Sequence, residues 1–345
     1  MNCMQRSMAA LQMERYDRVS VNPEIDASYA AKLAGVPVGD CFVDEDLHAR
    51  VLGNVFHCHA VDGLYINLCL SKSLLEKVNQ TKDGYIAKDA FGMTWSIPKN
   101  DVGTIIARDI KDLDDPRLRT DNPLQWGIVN TFRKLDERLK NDYLAAPGLT
   151  GPFSQVVFMV GLENTLMAMM DEPAKLKEVL EYRTALAAEW AAELWQSGAK
   201  CVWIGEGSAS SSVISPQQYQ EFVFPYQKRL IDELKTRHIL SIMHICGDIN
   251  KSLAYIAATG VHGIDIDYPV DLSYAATQVR GGACLKGNIN PAELLTASPK
   301  RIFELSQQKI ALFPEKGLIL STGCLVSRDT PPQNIDAMIE AACTN

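Results

Sequence analysis

From residue 201 onward, short apolar runs alternate with longer segments whose apolar residues recur at helical spacing. The runs 201–205, 240–246, 263–266, 283–287 and 317–322 are each predicted as a strand, and most of them lead into glycine or a polar residue. Their starts lie 20 to 39 residues apart, room in most gaps for a helix crossing between parallel neighbours. Leu176, Val179, Leu180, Leu186, Trp190 and Leu194 form the stripe of a long amphipathic helix ending near Ser197-Gly198. A second stripe runs through Tyr219, Phe222, Val223, Tyr226, Leu230 and Leu234. Ser215-Pro216 opens it with a capping serine and a proline suited to the first turn.

The first half is less regular. Residues 1–20 are predicted as a helical extension, with 19–21 contributing to a short opening strand stopped by Pro23. A second strand is expected at 63–68, followed by a helix through Leu75 and Val78. A hairpin excursion is expected at about 80–100, with 85–98 as its core, and a helix at 129–144. Segment 153–159 fits a strand or a helix start equally well. Repeated strand–helix units favour a parallel sheet covered by helices, and the expected fold is a single TIM-type (β/α)8 barrel spanning residues 1–345. The rival is a doubly wound nucleotide-binding sheet. It is weakened because no Gly-x-Gly-x-x-Gly follows a strand and no Gly-x-x-x-x-Gly-Lys-Ser/Thr occurs.

Composition narrows the function. The chain has 345 residues, 47% hydrophobic and 22% charged, enough for a full core without disulfide staples. Its net charge of −8, from 42 acidic and 34 basic residues, argues against broad contact with nucleic acid or an anionic membrane surface. No run of about 18 apolar residues suggests a membrane span. Met1 to Met13 is polar and lacks the apolar block of a signal peptide, so a cytoplasmic protein is expected. The nine cysteines are odd in number and scattered, and most are expected to be buried thiols.

Two places depart from that default. His244 and Cys246 close a predicted strand, where residues two apart project to the same side. Cys324 follows the last predicted strand. In a barrel all three would stand at the carboxyl end of the strands, where active sites of this architecture form. One imidazole and two thiolates suit tetrahedral zinc, with a fourth position left for water or substrate. A thiol at that position would favour its deprotonated, nucleophilic form. Two thiolates offset the metal's charge and leave electron density on that sulfur, which suits alkyl transfer better than carbonyl polarisation. On spacing alone, the alternative of an ordinary packed imidazole and packed thiols stands beside the metal reading.

His244-Ile245-Cys246-Gly247 resembles the signature of the uroporphyrinogen decarboxylase superfamily, in the branch of the methylcobamide:coenzyme M methyltransferases. Gly151-Pro152-Phe153, Ile214-Ser215-Pro216 through Phe224-Pro225-Tyr226, Gly287-Asn288-Ile289-Asn290-Pro291, and Gly323-Cys324 with Thr330-Pro331 and Asn334 are similar to further family segments. The similarity runs from about Arg15 to Ala342. The resemblance implies a decarboxylase-type barrel and zinc on His244, Cys246 and Cys324. It also implies methyl transfer between a corrinoid (methylcobalamin) protein partner and a small acceptor or donor, most typically a thiol such as coenzyme M. Two rivals remain: tetrapyrrole decarboxylation, whose arginine-containing amino-terminal signature is not evident around Arg15 to Pro23, and a corrinoid- or metal-binding barrel without turnover. Cobalamin-independent methionine synthases resemble this family too and carry a glutamate ligand about twenty residues after the His-x-Cys pair. Here that region reads Asp265-Ile266-Asp267-Tyr268, which makes the shorter Asp267 a candidate and leaves the fourth ligand open.

Four more residues are candidates for holding substrate. Glu206 follows a predicted strand and would point into the mouth, to orient substrate or a ligand histidine; the alternative is a solvated loop acid. Asp267 is the second. Asn288 sits in a strand-end turn, where a structural role is as natural as ligand binding. Arg328 suits an anionic acceptor, or a surface ion pair. His57-Cys58-His59 looks like a metal motif but has no partner at sensible spacing.

Overall fold

The computed structural model describes residues 1–70, 72–121, 123–135 and 137–344. Eight parallel strands form the barrel: β1 (Ser20–Val21), β2 (Gly63–Ile66), β7 (Leu144–Thr150), β8 (Cys201–Gly205), β9 (Leu240–Ile245), β10 (Gly263–Ile266), β11 (Cys284–Ile289) and β12 (Leu318–Thr322). Their order is β1-β12-β11-β10-β9-β8-β7-β2, so each strand from β7 to β12 lies beside its chain neighbour. The seam between β1 and β2 is closed by one residue. The Asp62 backbone N–H donates to the Val21 carbonyl at 2.7 Å, and the Asp62 carboxylate accepts from the Val21 N–H at 2.8 Å. Arg6 and Arg18 neutralise that buried carboxylate.

Strands β8 to β12 are buried at every position but Gly205, as expected of a parallel sheet covered by helices. The helix Cys3–Leu11 plugs the bottom of the barrel, packing Ala10 and Leu11 against Leu144, Cys201, Leu240 and Cys284. The stripe ending at Ser197 is the helix Pro173–Gln196. The stripe opened by Ser215 is two helices, Pro216–Phe222 and Phe224–Thr236, broken at Val223 ahead of Pro225.

The first half departs from expectation in three places. Residues 75–81 form a strand, not a helix, because Lys82-Asp83 makes a tight two-residue turn that folds them back on 84–89, with Thr81 paired to Gly84. The excursion is a four-stranded antiparallel sheet, β3 (Leu75–Thr81), β4 (Gly84–Asp89), β5 (Met93–Pro98) and β6 (Thr104–Arg108), larger than a hairpin. The expected helix at 129–144 is the end of Pro123–Lys134, then Glu137–Asp142, and Leu144 already opens β7; position 136 lies outside the described residues. Segment 153–159 belongs to the helix Pro152–Val160. Among the described residues no single helix is long and apolar enough to cross a membrane.

Candidate metal centre

Strand register builds the site in one layer. His244 on β9 pairs with Asp265 on β10, which pairs with Lys286 on β11. Because side chains alternate along a strand, these three face the barrel interior together. Cys246 lies just past β9 and Cys324 just past β12. Their sulfurs and a ring nitrogen of His244 all lie within 4.8 Å of one another, with His244 Nε2 3.3 Å from Cys246 Sγ. His244 is buried, and the two cysteines stand at the partly open mouth. Two glycines allow the approach. Gly247 takes φ of +77°, turning the chain after Cys246, and its N–H donates to Asp267 Oδ2 at 2.6 Å. A Cβ on Gly323 would stand 2.3 Å from the Tyr268 nitrogen, so only glycine lets the Cys324 loop pass there.

His244 Nδ1 donates to the Asp265 carbonyl at 3.1 Å, which leaves Nε2 as the donor atom facing the sulfurs. Beneath the ring, Glu24 Oε1 lies 3.7 Å from Nδ1 and 3.4 Å from Lys286 Nζ, and Lys286 Nζ lies 2.6 Å from Asp265 Oδ2. Burial and the Asp265 carboxylate push Glu24 up to about 8. Burial works to raise Asp265 as well, but Lys286 and His244 outweigh it and hold that carboxyl below its ordinary range. Burial lowers His244, yet Glu24 and Cys324 carry it up to about 10. A hydrogen bond from Cys324 lowers Cys246 against burial, and the same bond raises Cys324. A metal held there would displace the proton of the His244 ring nitrogen and that of the Cys324 thiol.

The donor set fits zinc. Ideal Zn–N and Zn–S lengths at a tetrahedral angle separate N and S by about 3.6 Å, close to the distance found here. A nitrogen whose partner nitrogen is already bonded to a carbonyl is the usual form of a zinc-binding imidazole.

The other predicted residues are each held by bonds of their own. Glu206 is neither a solvated acid nor a partner of the His244 ring. It is fully buried, its oxygens accept from the N–H groups of Phe153 and Ser154 at the start of helix Pro152–Val160, and burial raises it to about 7. Asp267 is spent on the backbone, accepting from Gly247 and from Tyr268 at 2.7 Å, and is not grouped with the three donors. Asn288 braces the turn, donating to the Asp267 and Val270 carbonyls and accepting from Lys309. Arg328 lies 3.7 Å from Asp329, a partly exposed pair. In the His57-Cys58-His59 run, both ring nitrogens of buried His59 are used, by Tyr29 and Asp336. Sequence reasoning passed over Glu24, Trp203 and Lys286, and weighed Asp265 only as a neighbour of Asp267. A lysine inside the apolar run 283–287 was the available signal.

The profile of the uroporphyrinogen decarboxylase (URO-D) family matches residues 3–344. A methylcobamide:CoM methyltransferase (MtbA) of Methanosarcina mazei is 27% identical over 247 residues, 69% of this chain and 70% of that protein. A uroporphyrinogen decarboxylase of Trichodesmium erythraeum is 29% identical over 223 residues, 62% of this chain and 61% of that one. A solved structure of a methyltransferase from Methanosarcina mazei superposes with a TM-score of 0.86 at 19% identity, covering 100% of this chain and 99% of that one. On its matching profile, and with a barrel of the same fold, this chain belongs to the uroporphyrinogen decarboxylase (URO-D) family.

Proposed function

We propose that the protein is a zinc-dependent methyltransferase that moves a methyl group between a corrinoid on a partner protein and a small thiol of the coenzyme M kind. One observation carries this reading: a nitrogen donor and two sulfur donors converge at the barrel mouth, with the second histidine nitrogen already occupied. The names of curated relatives support it. His244, Cys246 and Cys324 would hold the ion. Zinc, when bound there, lowers the pKa of a thiol that joins it and keeps the sulfur nucleophilic.

The chain's own groups do the rest. Two cysteine thiolates offset the ionic charge, so an acceptor sulfur keeps its electron density. Both cysteines stand at the rim, where a bulky methyl carrier reaches them from outside. Exposed Tyr268 and Leu325 give that rim an apolar edge beside Cys324. In the transfer a sulfur–carbon bond forms as the cobalt–carbon bond breaks, the electron pair stays with cobalt, and the thiol proton leaves to solvent. All nine cysteines are free, which suits a reducing, cytoplasmic setting.

Decarboxylation is the competing activity within the family, and it leaves the converging donors without a role. The deciding experiment incubates the purified protein with methylcobalamin and coenzyme M, and separately with uroporphyrinogen. Demethylation of methylcobalamin, lost in Cys246→Ala, is expected. Carbon dioxide release from uroporphyrinogen without methyl transfer would overturn the reading.

A further inference from the structure

His244 presents Nε2 to the two cysteines only while its ring keeps one plane, and the terminal torsion of a histidine is soft. Besides the Nδ1 bond to the Asp265 carbonyl, one face of the imidazole lies on the indole of Trp203. The ring centroids are 5.3 Å apart and the planes inclined by 21°. The indole is itself held. Its Nε1–H donates to Asp265 Oδ2 at 2.9 Å, the same oxygen that takes Lys286 Nζ. Tyr65 packs against it from β2, at 4.4 Å between centroids. The backbone makes room for this stack. Gly205 is the register partner of His244, and a Cβ there would stand 2.7 Å from Trp203 Cζ3. The indole therefore fills the space that glycine leaves two residues along the same face of β8.

We propose that Trp203 is a positioning residue of the metal site: its indole, tethered to Asp265 and stacked on the imidazole, aims His244 Nε2 at Cys246 and Cys324, and Gly205 is the position without a side chain that admits it. The inference rests on zinc binding at those three residues. Asp265 grips the histidine twice, by its carbonyl directly and by its carboxylate through the indole. A small displacement of the indole is thus transmitted to the ligand nitrogen.

The test compares wild type, W203L, W203F, G205A and C246A. Zinc affinity is measured by competition with a chromophoric chelator, and the cobalt(II)-loaded proteins are compared by visible absorption. W203L loses stack and tether and is expected to bind zinc about 10–100-fold more weakly, the usual cost of losing a group that orients a metal ligand. Its cobalt(II) bands should shift, and W203F, which keeps an aromatic face, should recover much of both. G205A should behave like W203L, and it carries the measurement if W203L does not fold. A packing role alone would lower the melting temperature and leave the cobalt(II) bands in place. Wild-type affinity and bands in W203L and G205A overturn the inference while leaving the zinc site intact. A wild-type protein that binds zinc no better than C246A overturns the site itself, and the inference with it.

Discussion

Lys286→Met strands a buried carboxylate, and its cost follows from the geometry. The ammonium is 3% exposed at the side chain, 2.6 Å from Asp265 Oδ2 and 3.4 Å from Glu24 Oε1, themselves fully buried. At an effective dielectric of about 20, unit charges at the shorter distance attract by roughly 6 kcal/mol. Desolvation of the ammonium offsets several kcal/mol of this, so the intact group contributes little net stability. Removing one member is different, because the remaining charge keeps its desolvation cost. K286M should lose about 3–5 kcal/mol, although methionine fills much of the volume. D265N in the K286M background removes the stranded charge and still offers an oxygen to Trp203 Nε1–H, so the double variant should regain about 2 kcal/mol. Urea unfolding followed by circular dichroism, with slopes compared between variants, gives the values. A loss below about 1 kcal/mol in K286M, or two effects that add within about 0.5 kcal/mol, would mean that Asp265 is not held as a buried charge by Lys286.

Glu206 predicts a pH dependence. Its carboxyl sits at about 7 in the fold against an ordinary 4.5, because it is buried, so the folded chain holds the proton more tightly than the unfolded one. The stability from that proton is complete below pH about 4.5 and lost as pH rises through about 7, about 3 kcal/mol in all. Glu206→Gln should flatten the fall in urea midpoint across that window; an unchanged slope counts against it. Asp267→Ala removes the acceptor of the Gly247 and Tyr268 N–H groups and should cost about 1–3 kcal/mol, with zinc content unaltered. Metal analysis that finds zinc lost in this variant counts against a role confined to stability.

The barrel was most legible where strands are buried on both faces. Segment 201–205 reads as a continuous apolar run and 263–266 as one interrupted only by Asp265, and both are strands with those bounds. Strand β7 was not legible, because Leu-Ala-Ala-Pro-Gly-Leu-Thr has little intrinsic strand preference and is held extended by its neighbours β2 and β8. The antiparallel excursion was partly hidden for the opposite reason: its first strand is mostly exposed and shows no apolar alternation. At the site, strand alternation put His244 and Cys246 on one side and Cys324 after the last strand, and the family resemblance singled them out from ordinary packed residues. The supporting layer does not follow from sequence. Glu24, Asp265 and Lys286 come from three separate strands or their ends, and only register brings them under one imidazole. The alternative of a solvated loop acid at Glu206 does not hold, because the carboxylate accepts from two N–H groups at a helix start, a pairing that no local sequence signal shows.

X-ray absorption at the zinc edge of the purified protein reads the donor atoms around the ion. One zinc per chain is expected, with a first shell of two sulfurs near 2.3 Å and one nitrogen at about 2.0–2.1 Å, gaining a third sulfur when coenzyme M is added. A protein that holds no zinc, or a zinc whose first shell contains no sulfur, would contradict the assignment to His244, Cys246 and Cys324.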